Sequence, residues 1–165
     1  MPGSITNIAG YRFVDLDDCE RLQAVFESVC QDLGLLGTIL LAPEGMNFFL
    51  AGTPASIEGF VSFLETDDRF TGIPLKRSFT DYQPFNRMNV RLKQEIISVG
   101  IDRIRPVDFT GETIEPKAFK AMLDEGALVH VLDTRNDYEL RLGTFHNAID
   151  LNLETFRAFP EAIQN

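Results

Sequence analysis

Two stretches of this sequence gather side chains whose types and spacing could do chemistry. The first is Gln83 to Lys93, QPFNRMNVRLK. In a strand, successive side chains point to opposite faces, so Arg87, Arg91 and Lys93 share one face while Met88, Val90 and Leu92 point into the core. Cations set about 7 Å apart along a strand approximate the repeat of a phosphate backbone, and Phe85 or Tyr82 could stack on an exposed base. Lys76, Arg77 and Gln83 extend the same candidate RNA-binding surface. The pattern also suits a solvated strand face whose charges serve solubility. The second stretch is Asp133-Thr134-Arg135, which follows the apolar run Leu128, Val129, Val131, Leu132. A charged turn at the C-terminal end of a buried strand is where open α/β sheets keep their sites, so the pair could hold an anionic substrate. More often an Asp and an Arg at such a turn cap the following helix and pair with a neighbouring carboxylate such as Glu139, and that structural use is expected here.

Nucleophiles and metal ligands are sparse. Cys19 and Cys30 are the two cysteines, and both fall in the first helical pattern. Eleven residues apart is about three helical turns, or roughly 16 Å along the axis, too far for a disulfide. They are expected to be small buried hydrophobes in a reducing compartment. His130 reads as a strand residue and His146 as part of a Gly-led turn, and zinc-ligand spacing is absent, so no metal is expected. Glu44, Gly45 and Asn47 sit at a hairpin signal, where Gly45 supplies a positive φ and Asn47 a turn-compatible side chain.

The formal net charge of −10 over 165 residues argues against a polyanionic partner, but the charge is unevenly distributed. Residues 69–105 carry eight basic side chains against three acidic ones, while residues 1–68 carry two against eleven. Exposed charges more than about 8 Å apart are largely screened, so a cationic surface can persist on an acidic protein. Hydrophobic residues make up 44% of the chain and include 14 phenylalanines, ample for a packed core. No apolar run is long enough for a membrane span, and no secretory signal pattern opens the chain. The cytoplasm is the expected location. Nothing in the pattern sets an oligomeric state.

The elements that must position these residues follow from periodicity. Ile8–Asp15 reads as a strand. A helix capped by Asp17 or Asp18 follows, with Leu22, Phe26, Val29, Cys30 and Leu33 on one stripe and Gly34 at its end. Leu36–Ala42 and Met46–Ala51 flank the hairpin signal Pro43-Glu44-Gly45. Thr53 and Pro54 start a second helix that buries Ile57, Phe60, Val61 and Leu64. Leu75–Phe79 and Met88–Val99 supply closing strands. The order β-α-β-β-α-β predicts an α+β ferredoxin-like, acylphosphatase-like sandwich over residues 1–100, one sheet with two helices on one face. Residues 101–114 read as a linker. Over 115–165, Pro116 opens a helix with Phe119, Met122 and Leu123 inward, Gly126 ends it, and strand, charged turn, short helix and strand begin a parallel α/β unit. Phe156, Phe159 and Ile163 mark a final helix start.

Four blocks carry a family resemblance. Gly37-Thr38-Ile39-Leu40-Leu41 with Glu44-Gly45-Met46-Asn47, Gln83-Pro84-Phe85-Asn86-Arg87-Met88, and Val90-Arg91-Leu92-Lys93-Gln94-Glu95-Ile96 resemble, in order, segments of the tRNA uridine hydroxylase family of rhodanese-fold proteins. The fourth block runs from Asp133-x-Arg135 through Tyr138-Glu139 to Gly143-Thr144-Phe145-x-x-Ala148-Ile149-x-Leu151 and resembles the first half of its α/β rhodanese domain. The resemblance implies tRNA modification, an oxygen-dependent 5-hydroxylation of the wobble uridine by a rhodanese-loop cysteine, with molecular oxygen as co-substrate and the anticodon arm as partner. In such domains the Asp133 and Arg135 positions, with Glu139, resemble a scaffold brace and not the reacting group. The nucleophilic cysteine is expected beyond Asn165, which leaves no catalytic residue in this chain, and this chain alone is expected to be inactive. Rhodanese-type sulfurtransfer from thiosulfate or a persulfide is the alternative chemistry, and a non-enzymatic binding or regulatory module is the third. One departure stands out: Phe48 and Phe49 follow Asn47 where the family pattern has two small residues.

Overall fold

The computed structural model describes residues 4–96, 108 and 111–164. They divide between a first unit that ends at Ile96 and a second that runs on from Asp108. In the first unit, β1 (Ile5–Phe13), α1 (Cys19–Asp32), β2 (Leu36–Ala42), β3 (Gly45–Gly52), α2 (Pro54–Leu64), β4 (Lys76–Thr80) and β5 (Met88–Leu92) follow in chain order. The sheet order is β4-β1-β3-β2-β5. Its first four strands pair antiparallel in the ferredoxin-like order, and β5 adds a fifth strand parallel to β2.

Local chemistry explains the boundaries. Asp18 precedes α1 without a side-chain capping bond, because Arg21 and Arg69 occupy its carboxylate. At the other end Gly34 adopts φ 63°, Gly34 N–H donates to Gln31 O and Leu35 N–H to Cys30 O, the paired closure of a Schellman motif. Thr53 caps α2 by accepting from the Ser56 N–H at 3.1 Å, with Pro54 next. The β2–β3 turn needs Gly45 at φ 141°, where a Cβ would stand 2.0 Å from the Arg12 carbonyl oxygen.

Both helices lie on one face of the sheet. Ile8, Ile39, Leu41, Met46, Phe48, Leu50 and Val90 from the strands meet Leu22, Phe26 and Cys30 of α1 and Ile57, Phe60 and Leu64 of α2. Phe26 lies edge-on to Phe63 and Phe70, with centroids 5.5 and 5.7 Å away, and Phe48 is edge-on to Phe60 at 5.6 Å. Such pairs add about 0.5–1.5 kcal/mol each beyond their burial. Leu92 departs from expectation. It is 41% exposed, because β5 is the outermost strand and α1 covers it only as far as Val90.

In the second unit, α3 (Pro116–Asp124) ends in a second Schellman closure, with Gly126 at φ 69°. β6 (Leu132–Asp133), α4 (Asp137–Leu140) and β7 (Ile149–Asp150) form a short parallel β-α-β unit, followed by a 3-10 turn at Phe156–Ala158 and α5 (Phe159–Ala162). The buried strand expected from Leu128 shrinks to two residues. Leu128 is fully exposed and Val129 and Leu132 partly so, since β6 has one neighbouring strand and no apolar layer packed on it among the described residues. Most of the expected 101–114 linker lies outside the described residues, as does the end of the Met88–Val99 strand.

Candidate nucleic-acid interface

The face of the sheet turned away from α1 and α2 is set by alternation. Along β5, Arg91 stands opposite Leu40 and Asn89 opposite Thr38, on the side away from buried Val90. Arg91 is exposed, as are Arg87 and Lys93, which flank the strand. Their backbones extend the pairing: Gly37 N–H donates to Arg87 O at 3.0 Å and Lys93 N–H to Leu41 O at 2.8 Å. On the opposite edge of the sheet, Lys76 is exposed and pairs with Ala9, placing it on the same face as Arg91. Arg77 points the other way and is held by Glu58 of α2, which lowers the Glu58 pKa. The candidate cations therefore do not form one patch. Arg77 braces a helix, and Lys76 sits across the sheet from Arg87, Arg91 and Lys93.

Residues 81–87 cross the end of the sheet from β4 to β5. Gln83 fixes that crossing: its Nε2 donates to Ala51 O at 3.2 Å and its Oε1 accepts from the Phe85 N–H at 3.2 Å. Phe85 is thereby laid against the helix-free face, half-buried, while Tyr82 is exposed. Glu44 accepts from the Ile96 N–H and so ties the hairpin turn to the chain leaving β5.

Two exposed rings on this face were not among the base-stacking candidates read from the sequence. Tyr11 on β1 is 58% exposed and Phe49 on β3 is 53% exposed. Phe48, the other half of the Phe48-Phe49 departure, is fully buried in the core. Alternation separates the two phenylalanines, but only the position of the helices says which one faces out.

In the second unit Asp133 is 8% exposed and fully engaged. Arg135 Nε and Nη2 approach its two oxygens at 2.9 and 2.6 Å, and Thr144 Oγ1 donates to Oδ2 at 2.7 Å. The Arg135 guanidinium, then the Thr144 hydroxyl, hold this carboxyl well below the usual range. Arg135 also donates to Gly143 O at 2.8 Å, closing the turn into β7. Glu139 is not its hydrogen-bonded partner, as had been expected. The Glu139 carboxylate reaches back to the Asn136 N–H at 3.1 Å and caps α4. Asp133 and Arg135 thus form a brace in which both carboxylate oxygens of Asp133 are already taken.

The thiols differ: Cys30 is buried, as expected, whereas Cys19 is only half-buried and donates to Leu16 O at 3.4 Å. Burial pushes Cys30 up to about 12, and burial followed by the Asp18 charge raises Cys19. Neither is a ready thiolate. No cluster of metal-ligating side chains occurs among the described residues, and none of their helices is long and apolar enough to cross a membrane.

A family model described as the UPF0176 acylphosphatase-like domain matches residues 5–96. Two proteins named tRNA uridine(34) hydroxylase, from Cupriavidus pinatubonensis and Thiobacillus denitrificans, are 48% and 46% identical to this chain over 97% and 98% of it. The chain belongs to the tRNA uridine(34) hydroxylase family. It spans 58% of the Cupriavidus protein and 67% of the Thiobacillus one. Within the tRNA uridine(34) hydroxylase family, the five-stranded unit is the acylphosphatase-like domain, and the match to its relatives continues through the Asp133 brace. A Klebsiella pneumoniae BlrP1 structure with FMN and cyclic diGMP overlays with a TM-score of 0.48 at 18% identity, over 74% of this chain and 35% of that one, too loosely to carry an argument.

Proposed function

We propose that this chain is the RNA-orienting part of a tRNA-modifying enzyme that hydroxylates C5 of the wobble uridine with molecular oxygen as co-substrate. The observation that carries this is the 48% identity over nearly the whole chain to a protein named tRNA uridine(34) hydroxylase. The exposed cations at β5 supply what a phosphate backbone requires, and they lie on a protein that is otherwise strongly acidic. The reaction takes place in the cytoplasm. On this reading its attacking thiolate lies outside residues 1–165, which is supported by burial raising both Cys19 and Cys30.

Two measurements test this. Arg91→Glu combined with Lys93→Glu should weaken tRNA binding and reduce the slope of log K against log salt by roughly 1 to 2. An unchanged affinity and slope would remove β5 from the interface. In a strain lacking the enzyme, the 165-residue chain should leave 5-hydroxyuridine absent from tRNA nucleosides by mass spectrometry, while a longer relative restores it. Restoration by the short chain would place the reacting group within it.

A further inference from the structure

We infer that the helix-free face of the sheet is a stacking platform for unpaired RNA bases, a role that rests on RNA being the partner proposed above. Three observations converge on it. The first is the rings. Tyr11 on β1 stands opposite Asn47 and Phe49 on β3 stands opposite Ala9, so the two aromatics are diagonal neighbours on the two central strands, about 7–8 Å apart. Both are more than half exposed, unlike the core phenylalanines on the other face. Exposed aromatics on two adjacent inner strands of a sheet with two helices behind it are what unstacked bases bind, because every base offers a π-face.

The second is charge. In a protein with 25 acidic residues, none of the five strands contains an Asp or a Glu. The charged side chains that strand alternation places on this face are Lys76 on one outer strand and Arg91 on the other. A nucleotide chain laid across the rings would therefore meet a cation at each side and no repelling carboxylate from any strand, which is the complementarity a polyanion needs.

The third is a cleft. Where residues 84 and 85 cross the sheet they leave a space of about 330 Å³ bordered by Phe49, Phe85, Lys76, Asn7, Ser78 and Thr80. That is within the usual range for a small-molecule pocket, and its lining is mostly apolar, with two rings and Pro84 beside short polar side chains and Lys76. It accepts one splayed-out base between Phe49 and Phe85, with Tyr11 stacking its neighbour. Duplex RNA, whose bases are already stacked, gains nothing from such a face.

The test uses the 165-residue chain and two RNA probes of equal length and charge, a hairpin with an unpaired seven-base loop and a fully paired duplex, read by fluorescence anisotropy across a salt series. The unaltered chain should prefer the loop. Tyr11→Leu and Phe49→Leu keep an exposed apolar side chain without a ring, and each should cost the loop probe roughly five- to a hundredfold in affinity. Binding to the duplex and the salt slope should stay as they were, and Phe49→Tyr should restore the loop preference. If both Leu variants bind the loop as the unaltered chain does, the platform is wrong while the cationic contact stands. If the unaltered chain binds neither probe, RNA as partner fails, and the platform with it. Loss of both probes together, with a collapsed far-UV spectrum for the Leu variants but not for Phe49→Tyr, would assign the rings to folding instead and overturn the inference.

Discussion

Arg69 shows how one side chain can join distant parts of the chain. Its guanidinium donates to Asp67 Oδ2 and to Asp18 Oδ1, both at 2.7 Å, and its Cζ sits 5.4 Å from the centre of the Phe70 ring. The Arg69 hydrogen bond, helped by Arg21, lowers Asp18 to about 2, and Asp67 is lowered by the same guanidinium. A carboxylate depressed in the folded state stabilises above its unfolded value, near 4, and that stability is lost as pH falls through the folded value. The urea midpoint should therefore drop steeply between about pH 4 and pH 2. Arg69→Met should flatten that drop and, at pH 7, cost on the order of 1 kcal/mol after allowance for solvent screening. A midpoint with the same acid limb in the variant would show that the network contributes little. Residue-level reading of the sequence went furthest where one backbone group has one partner, as at Thr53 and Gly34. It went wrong at Arg135, because a flexible guanidinium had two carboxylates within reach, and folding gave one of them, Glu139, to the Asn136 N–H.

At the scale of elements, α2 and α1 each give three buried side chains to the core. Phe60 is fully buried and meets Phe48 and Phe26 at 5.6 and 6.1 Å. Phe60→Ala should cost about 3–5 kcal/mol in urea unfolding, since the surrounding rings cannot close on the hole. A loss below 1 kcal/mol would mean the aromatic cluster repacks. Periodicity found both helices and the first three strands, but β1 runs Ile5–Phe13 where Ile8–Asp15 was expected, because no capping residue or glycine marks its ends. It could not place β5. Met88, Val90 and Leu92 read as an inward-facing set, yet a strand pattern does not record which edge it joins. The pairing with β2 left Leu92 beyond the reach of α1. The same gap left unread the outward direction of Tyr11 and Phe49, which depends on where two helices pack and on nothing in their own strands.

For the molecule as a whole, burial is divided very unevenly. The first unit holds the 17-residue core, whereas in the second only Leu153 and Asp133 are buried among the described residues. Local stability follows buried apolar contact, so amide hydrogen exchange followed by mass spectrometry should find the slowest amides in β1, β2 and β3. Residues 111–164 should exchange substantially faster. Equal protection in both would mean that the second unit is stabilised by something other than its own packing. The charge pattern belongs to this scale too. A count of acidic and basic residues excluded nothing once its segregation was seen, and that segregation was legible from the sequence long before any strand order was.

The outward edge of β5 has a consequence for anyone handling this protein. It is the terminal strand of its sheet among the described residues, so apart from the Val90 carbonyl, which accepts from Gln23 Nε2, the outward row of its peptide groups can recruit another chain's strand. Arg87, Arg91 and Lys93 line that margin and act as gatekeepers against accretion between copies, whatever else they touch. Replacing them with neutral residues would strip away that guard along with any attraction for nucleic acid. Exchanging their sign would keep the copies apart, which is why acidic substitutions separate weakened recognition from clumping and alanines do not.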